Sequence, residues 1–508
     1  MKNKTTIKSL LLVLLLSSVA IPTTILPNNK EISAEYLSLS TLRATPLYEI
    51  KEPTNYQYLM QNEPYYTAQQ SSQYAYLNPG NVMNQYRGEG VTVAIIDTGL
   101  RYDADAFNYN GKSRLSDLSA CVTSNPTTEI TTVKSVRDNN GDYSILQEDA
   151  TVRDENNNPS LIHGTSVAGT IFDIVDGKNG FGLASNVTFI HVKLSNLYLA
   201  EMAYALEYIL SLNTVDVLNM SFGFVGYPSS ETEMINAALN PILKALHDQG
   251  TLIVAAAGND ATMNDYFPAC NDYVLSIGAL EYQSFDELAY YSTYGHLDLV
   301  APGTVYVPRV QYNSPYRPSN FDTSINTYAL VSGTSFASPL VASSAALYMN
   351  KYQGVSNETT KYALLGSTTD IGLDGYDTYF GYGRLNLNNL MNYLPEYADA
   401  DAFCDHLVTY TLNGVDENIW YDLSQEYVSL SEKGKDYLPE SKFYDSMIKR
   451  YNQIIERYEY SDFLDGEMPT DPNLNTYILI ISVIVATAVI AIIISIITVK
   501  KQKKSIRR

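Results

Sequence analysis

The chain has 508 residues, with 33 lysines and arginines against 55 aspartates and glutamates, a formal net charge of −22 at pH 7. That length allows two to four domains and ample chain for one large core. So acidic a surface repels phosphate backbones, which excludes nucleic acid as a partner and serves solubility. At the N-terminus, Lys2, Lys4 and Lys8 precede the apolar run Leu10–Ala20, which closes on Ser18-Val19-Ala20. Cations, a short apolar stretch and small residues in that order predict a signal peptide over 1–20, with a boundary as late as Ala34 also compatible. Residues 35–74 are polar and tyrosine-rich, with Pro46, Pro53 and Pro64, and predict an N-terminal extension.

From 75 to 395, apolar strand-like runs alternate with helical periodicity. This predicts an α/β domain with a mainly parallel central sheet and helices on both faces. Strands are expected at 91–96, 187–193, 215–220, 251–257, 273–279 and 297–300, and helices at 163–175, 197–212, 231–248 and 335–350. The continuous apolar run Val91–Ile96 reads as a buried parallel strand that delivers Asp97, in Asp97-Thr98-Gly99, at its C-terminal end. Residues 111–160 are polar, and Asp138–Asp142 predicts a tight turn between two short strands. His163 heads a small-residue and apolar stretch and is expected to start a helix. Val217–Gly223 reads as another buried strand with a small-residue end, whose backbone offers hydrogen bonds to an extended chain. Thr251–Ala257 ends in Gly258-Asn259-Asp260. Ser335, in Gly333-Thr-Ser-Phe-Ala-Ser-Pro339, begins an alanine-rich helix, and Pro339 is expected within its first turn.

Residues 396–475 hold 18 acidic against 6 basic residues, and Glu426–Tyr460 carries helical spacing. Together with the acidic, Pro-containing stretch after Asp462, this predicts a small helical stalk over 396–476. Residues 477–499 form an uncharged apolar span. As a helix it would reach about 34 Å, enough to cross a bilayer core. Six cations follow within 500–508 and set this tail as cytoplasmic. The C-terminal helix makes the membrane a partner, with the remainder extracellular. Cys121, Cys270 and Cys404 are an odd count without metal spacing. They read as small apolar residues, with a Cys121–Cys270 bridge as the alternative.

Singly, Asp97 would be a cap or turn residue, His163 a core histidine, Ser335 a helix N-cap and Asn259 part of a turn. An acid, an imidazole and an alcohol in this order, each at a strand or helix end, are what nucleophilic acyl transfer requires. The serine needs a base, histidine titrates in the working range, and a carboxylate fixes its tautomer. An asparagine at a strand end adds a donor for a developing oxyanion.

The motifs Ile-Asp-Thr-Gly, His-Gly-Thr-x-Val-Ala-Gly-Thr, Asn-Met-Ser-x-Gly, Ala-Ala-Gly-Asn, Tyr-Phe-Pro-Ala (266–269), Leu-Val-Ala-Pro-Gly (299–303) and Gly-Thr-Ser-x-Ala-Ser-Pro occur in that order. With Phe380–Asn386 they make residues from about 75 to 390 resemble the subtilisin-like serine peptidases. The resemblance implies Asp97, His163 and Ser335 as a catalytic triad and Asn259 as the oxyanion donor. It implies Ser221 and Gly223 along the substrate edge, with Asp260 at the rim where it would attract a basic P1 residue. It also implies a propeptide before the domain, a peptide or protein substrate and no cofactor for the chemistry. A structural calcium ion would be held by Asp176 and Asp105, with carbonyls near Ile174, Lys178 and Gly180. A non-catalytic scaffold on the same fold is the alternative, and it would need a missing triad or oxyanion member. The sequence leaves the oligomeric state open.

Overall fold

The computed structural model describes residues 66–464 and 468–469, apart from 71, 78, 110–111, 126, 129, 148–162, 176–179, 225–229, 309–327 and 459. The expected signal peptide, the apolar span 477–499 and the basic tail lie outside the described residues. Among the described residues no helix is long and apolar enough to cross a membrane.

Numbering strands of four or more residues, β1 is Thr92–Asp97, β2 Ala120–Asn125, β3 Ile130–Ser135, β4 Thr188–Leu194, β5 Val217–Met220 and β6 Leu252–Ala256. They are followed by β7 Val274–Glu281, β8 Ser284–Leu288, β9 Leu299–Pro302, β10 Thr304–Pro308 and β11 Tyr328–Ser332. One nine-stranded sheet runs β8-β7-β6-β5-β1-β4-β2-β3, with β9 also on β7, while β10 and β11 form a separate antiparallel pair. Pairing is parallel from β7 to β2, and the antiparallel β8 and β3 close the edges. All six expected strands are present. β2 and β3 lie in the stretch read as polar. Their alternating Thr and Val residues form a half-exposed edge, and β3 leads through the 138–142 turn into a short 3₁₀ helix, Tyr143–Leu146, rather than a second strand.

Numbering helices of two or more turns, α1 is His163–Phe172, α2 Leu199–Leu212, α3 Ser230–Asp248 and α4 Thr334–Lys351. The C-terminal part adds α5 Asn357–Gly366, α6 Pro395–Thr411, α7 Glu417–Ser429 and α8 Tyr444–Tyr458. The period-2 alternation of the strands divides the interior into two cores. Val93 and Ile95 of β1 point to the face carrying α1 and α4, whereas Ala94 and Ile96 point to the face carrying α2 and α3. α4 is buried almost throughout, from Thr334 to Met349. This explains why its sequence is apolar or small all round instead of amphipathic.

Two expectations are corrected here. The acidic C-terminal helices do not form a stalk. Phe403 and Leu407 of α6, Trp420 and Leu423 of α7 and Met447 of α8 belong to the same core as α4. Tyr362 of α5 donates to Asp405 of α6 at 2.6 Å, and Lys442 reaches the Thr368 carbonyl at 2.9 Å. The net charge of the segment concealed a buried aromatic stripe that needs a partner surface. The domain also begins before residue 75. Gln69 and Gln73 are fully buried, and Gln69 Nε2 donates to the carbonyls of Phe181 at 3.0 Å and Tyr306 at 3.2 Å. All three cysteines are free, so the Cys121–Cys270 alternative falls away.

Candidate active site

One further step of the β1 alternation puts Asp97 on the α1/α4 side, at the C-terminal end of a strand flanked by β4 and β5. The chain order reverses here, and open α/β sheets place their sites at such points. The Asp97 carboxylate is 1% exposed and accepts from the Thr98 amide at 2.7 Å. His163, the first residue of α1, donates from Nδ1 to Asp97 Oδ1 at 2.9 Å and lies 3.2 Å from Oδ2. The next residue must be glycine. A Cβ on Gly164 would stand 2.6 Å from the carbonyl oxygens of both Thr98 and Gly99. The Gly164 amide donates to Thr98 Oγ1 at 2.9 Å, tying the helix start to the turn after β1. Burial disfavours the His163 imidazolium, but the charge and hydrogen bond of Asp97 outweigh it, so its pKa is raised above the usual histidine value.

Ser335 is the second residue of α4, where backbone N–H groups lack intrahelical partners. Gly333 leads in with φ 154° and ψ 157°, a conformation essentially reserved for glycine. The Thr334 amide and hydroxyl both donate to Asn259 Oδ1, at 2.9 and 3.0 Å. They fix the exposed Asn259 amide by its oxygen and leave its Nδ2 group as the donor end. Pro339 sits in the second turn of α4, not the first. Having no N–H, it leaves the Ser335 carbonyl four residues earlier without an intrahelical donor. Ser221 Oγ supplies that donor at 2.8 Å. The Ser335 hydroxyl in turn donates to the Ser221 carbonyl at 2.9 Å. No hydrogen bond joins Ser335 Oγ to His163. The Phe336 ring lies 5.6 Å from the His163 ring, so the serine and imidazole occupy neighbouring positions.

The remaining predicted residues divide. Ser221 is buried beneath Ser335 rather than lining an open edge, because one further step of the β5 alternation turns it towards α4. Gly223 is exposed beside Tyr266, and a Cβ there would meet that ring at 3.2 Å. Asp260 is exposed and accepts a hydrogen bond from Tyr266 Oη. Asp105 starts a 3₁₀ turn whose Ala106 carbonyl accepts from the Ile174 amide at 3.1 Å. Asp176 and Lys178 lie outside the described residues, and among the described residues no group of three His, Cys, Asp or Glu side chains could hold a metal ion. His191, read as structural, is wholly buried under the Asp97 turn, with Nε2 donating to the Thr98 carbonyl at 2.7 Å. Burial pushes its pKa down to about 4, so it is neutral near pH 7.

A buried acid bound to an imidazole, an alcohol at a helix N-terminus and an aimed amide are the parts of a serine hydrolase on an α/β sheet. The subtilase family matches residues 88–383, more than half of the chain, and the chain belongs to that family. It is 28% identical over 391 residues to the thermophilic serine proteinase of Bacillus sp. (strain AK1), covering 73% of this chain and 81% of that protein. It is 33% identical over 234 residues to subtilisin DY of Bacillus licheniformis, covering 44% and 76%. The fold is also that of a solved protease from Pseudoalteromonas arctica PAMC 21717, with a TM-score of 0.50 at 24% identity, covering 65% of this chain and 98% of that one. The protein is a subtilisin-like serine endopeptidase that takes a peptide or protein substrate.

Proposed function

We propose that this peptidase works through Asp97, His163 and Ser335, with Asn259 as oxyanion donor, on peptides at the outer face of a bacterial cell membrane. The observation that carries the reading is the buried Asp97 carboxylate held 2.9 Å from His163 Nδ1. With Nδ1–H committed to the acid, Nε2 presents its lone pair to the serine. Ser335 leaves the Ser221 carbonyl, gives its proton to Nε2 and attacks the scissile carbonyl. The oxyanion receives Asn259 Nδ2–H and the first amides of α4. His163 then protonates the leaving amine. Water, deprotonated by the same imidazole, hydrolyses the acyl-enzyme and regenerates Ser335. These steps use only side-chain and main-chain groups. A calcium ion at Asp105 and Asp176 would be structural.

A fluorophosphonate probe tests the chemistry. The wild type should be labelled and Ser335→Ala should not. A wild type that stays unlabelled would favour the scaffold reading.

The single-pass anchor at 477–499 and the signal peptide at 1–20 rest on the sequence. Such an anchor suits maturation of exported peptides or proteins better than bulk digestion. Retention of the full chain in carbonate-washed membranes, with its catalytic part open to added protease, tests this. Asp260 at the rim favours a basic P1 residue. A peptide-library profile unchanged by Asp260→Asn would remove that idea.

A further inference from the structure

We infer that His191 is a positioning residue of this peptidase, holding the Asp97 turn in working geometry through Thr98. The inference rests on the reading of Asp97 as the triad acid.

His191 lies on β4, in register with Ile95 of β1, and its side chain is fully buried. The alternation that sends Phe189 to the α1/α4 core sends His191 to the same side, beneath the start of α1. Its Cε1 stands 3.1 Å from where a Cβ on Gly164 would be.

Thr98 joins three parts of the site. Its amide donates to the Asp97 carboxylate at 2.7 Å. Its hydroxyl accepts from the Gly164 amide, next to His163, at 2.9 Å. Its carbonyl accepts from His191 Nε2 at 2.7 Å. The first two contacts bind acid to base, and the third anchors the Thr98–Gly99 peptide, the next unit of the same turn, so that Thr98 is held on both sides of its Cα. A carbonyl only accepts, so His191 is held as the Nε2–H tautomer. Its Nδ1 is buried without a hydrogen-bond partner. An unpartnered nitrogen in a central strand is a cost that alanine or leucine would avoid. The return on that cost is the single donor aimed at Thr98. His191 touches no reacting atom and acts only through this turn.

The test uses the full-length protein and three substitutions at 191. Leucine fills the space without a donor. Glutamine keeps an N–H donor of similar reach and does not titrate. Asparagine is polar but too short to reach Thr98. Active sites are counted by fluorophosphonate titration, so that unfolded protein does not enter kcat. His191→Leu should lower kcat about tenfold at a KM within about twofold of wild type, the pattern of lost transition-state stabilisation. It should also shift the acid limb of kcat/KM. His191→Gln should stay within about threefold of wild type in kcat, with the limb restored. If the leucine protein does not fold, His191→Asn replaces it with the same expected loss. Retention of wild-type kcat by the donorless variant, or failure of glutamine to rescue it, overturns the inference. Turnover of the wild type that survives Ser335→Ala would instead overturn the triad reading, and this inference with it.

Discussion

Replacing His406 by glutamine tests whether the C-terminal helices are locked onto the catalytic core by charge as well as by packing. His406 on α6 donates from Nδ1 to Glu426 Oε1 of α7 at 2.8 Å, and its Nε2 lies 3.6 Å from Glu358 Oε2 of α5. Glu358 Oε1 lies 2.5 Å from His247 Nε2 at the end of α3, so four helices meet along one ladder. Burial disfavours the His406 cation, but the two carboxylates outweigh it and raise its pKa from 6.5 to about 9. The side chain is only 16% exposed, so solvent screens the ladder little. At about 1.4 kcal/mol per pH unit, the charged state is worth about 3 kcal/mol. Because the folded value lies above the unfolded one, this stability is complete below pH 6.5 and is lost as pH rises through about 9. His406→Gln should therefore cost about 3 kcal/mol near pH 6 and much less above about pH 9.5, where only the packing difference remains. Urea unfolding of both proteins in a Ser335→Ala background, which prevents self-digestion, measures this at about pH 6, 7.5 and 9.5. The same destabilisation at all three values would refute the charge argument.

Other expectations follow from the same geometry. The raised pKa of His163 places the acid limb of kcat/KM above 6.5, with activity lost as the base takes its proton. In a pH–rate profile Asp97→Asn should move that limb down while lowering kcat by about 10⁴. Asn259→Ala should lower kcat about 10²–10³-fold at nearly constant KM, read by steady-state kinetics. Trp420, 1% exposed and bonded through Nε1 to the Ser461 carbonyl at 3.0 Å, packs on Tyr451 and Phe463. Trp420→Ala should cost about 3–5 kcal/mol and lower the thermal midpoint of catalysis, whereas an independent stalk would leave that midpoint unmoved.

The sequence by itself determined the alternation of buried strands and helices, because strand and helix periods are local properties of the chain. It also singled out Asp97, His163, Ser335 and Asn259 as the candidates for the chemistry, since each follows or opens an apolar run. Tertiary structure decided how those ends are supported. Nothing local to Ser221 says that its hydroxyl answers a carbonyl freed by Pro339, 118 positions later. His191 looks like any buried histidine until β4 is laid beside β1 and the Thr98 carbonyl comes within 2.7 Å. The C-terminal helices misled for the same reason. Their acidic residues dominate the composition, but which face of an amphipathic helix finds a partner depends on surfaces elsewhere in the fold, here chiefly α5.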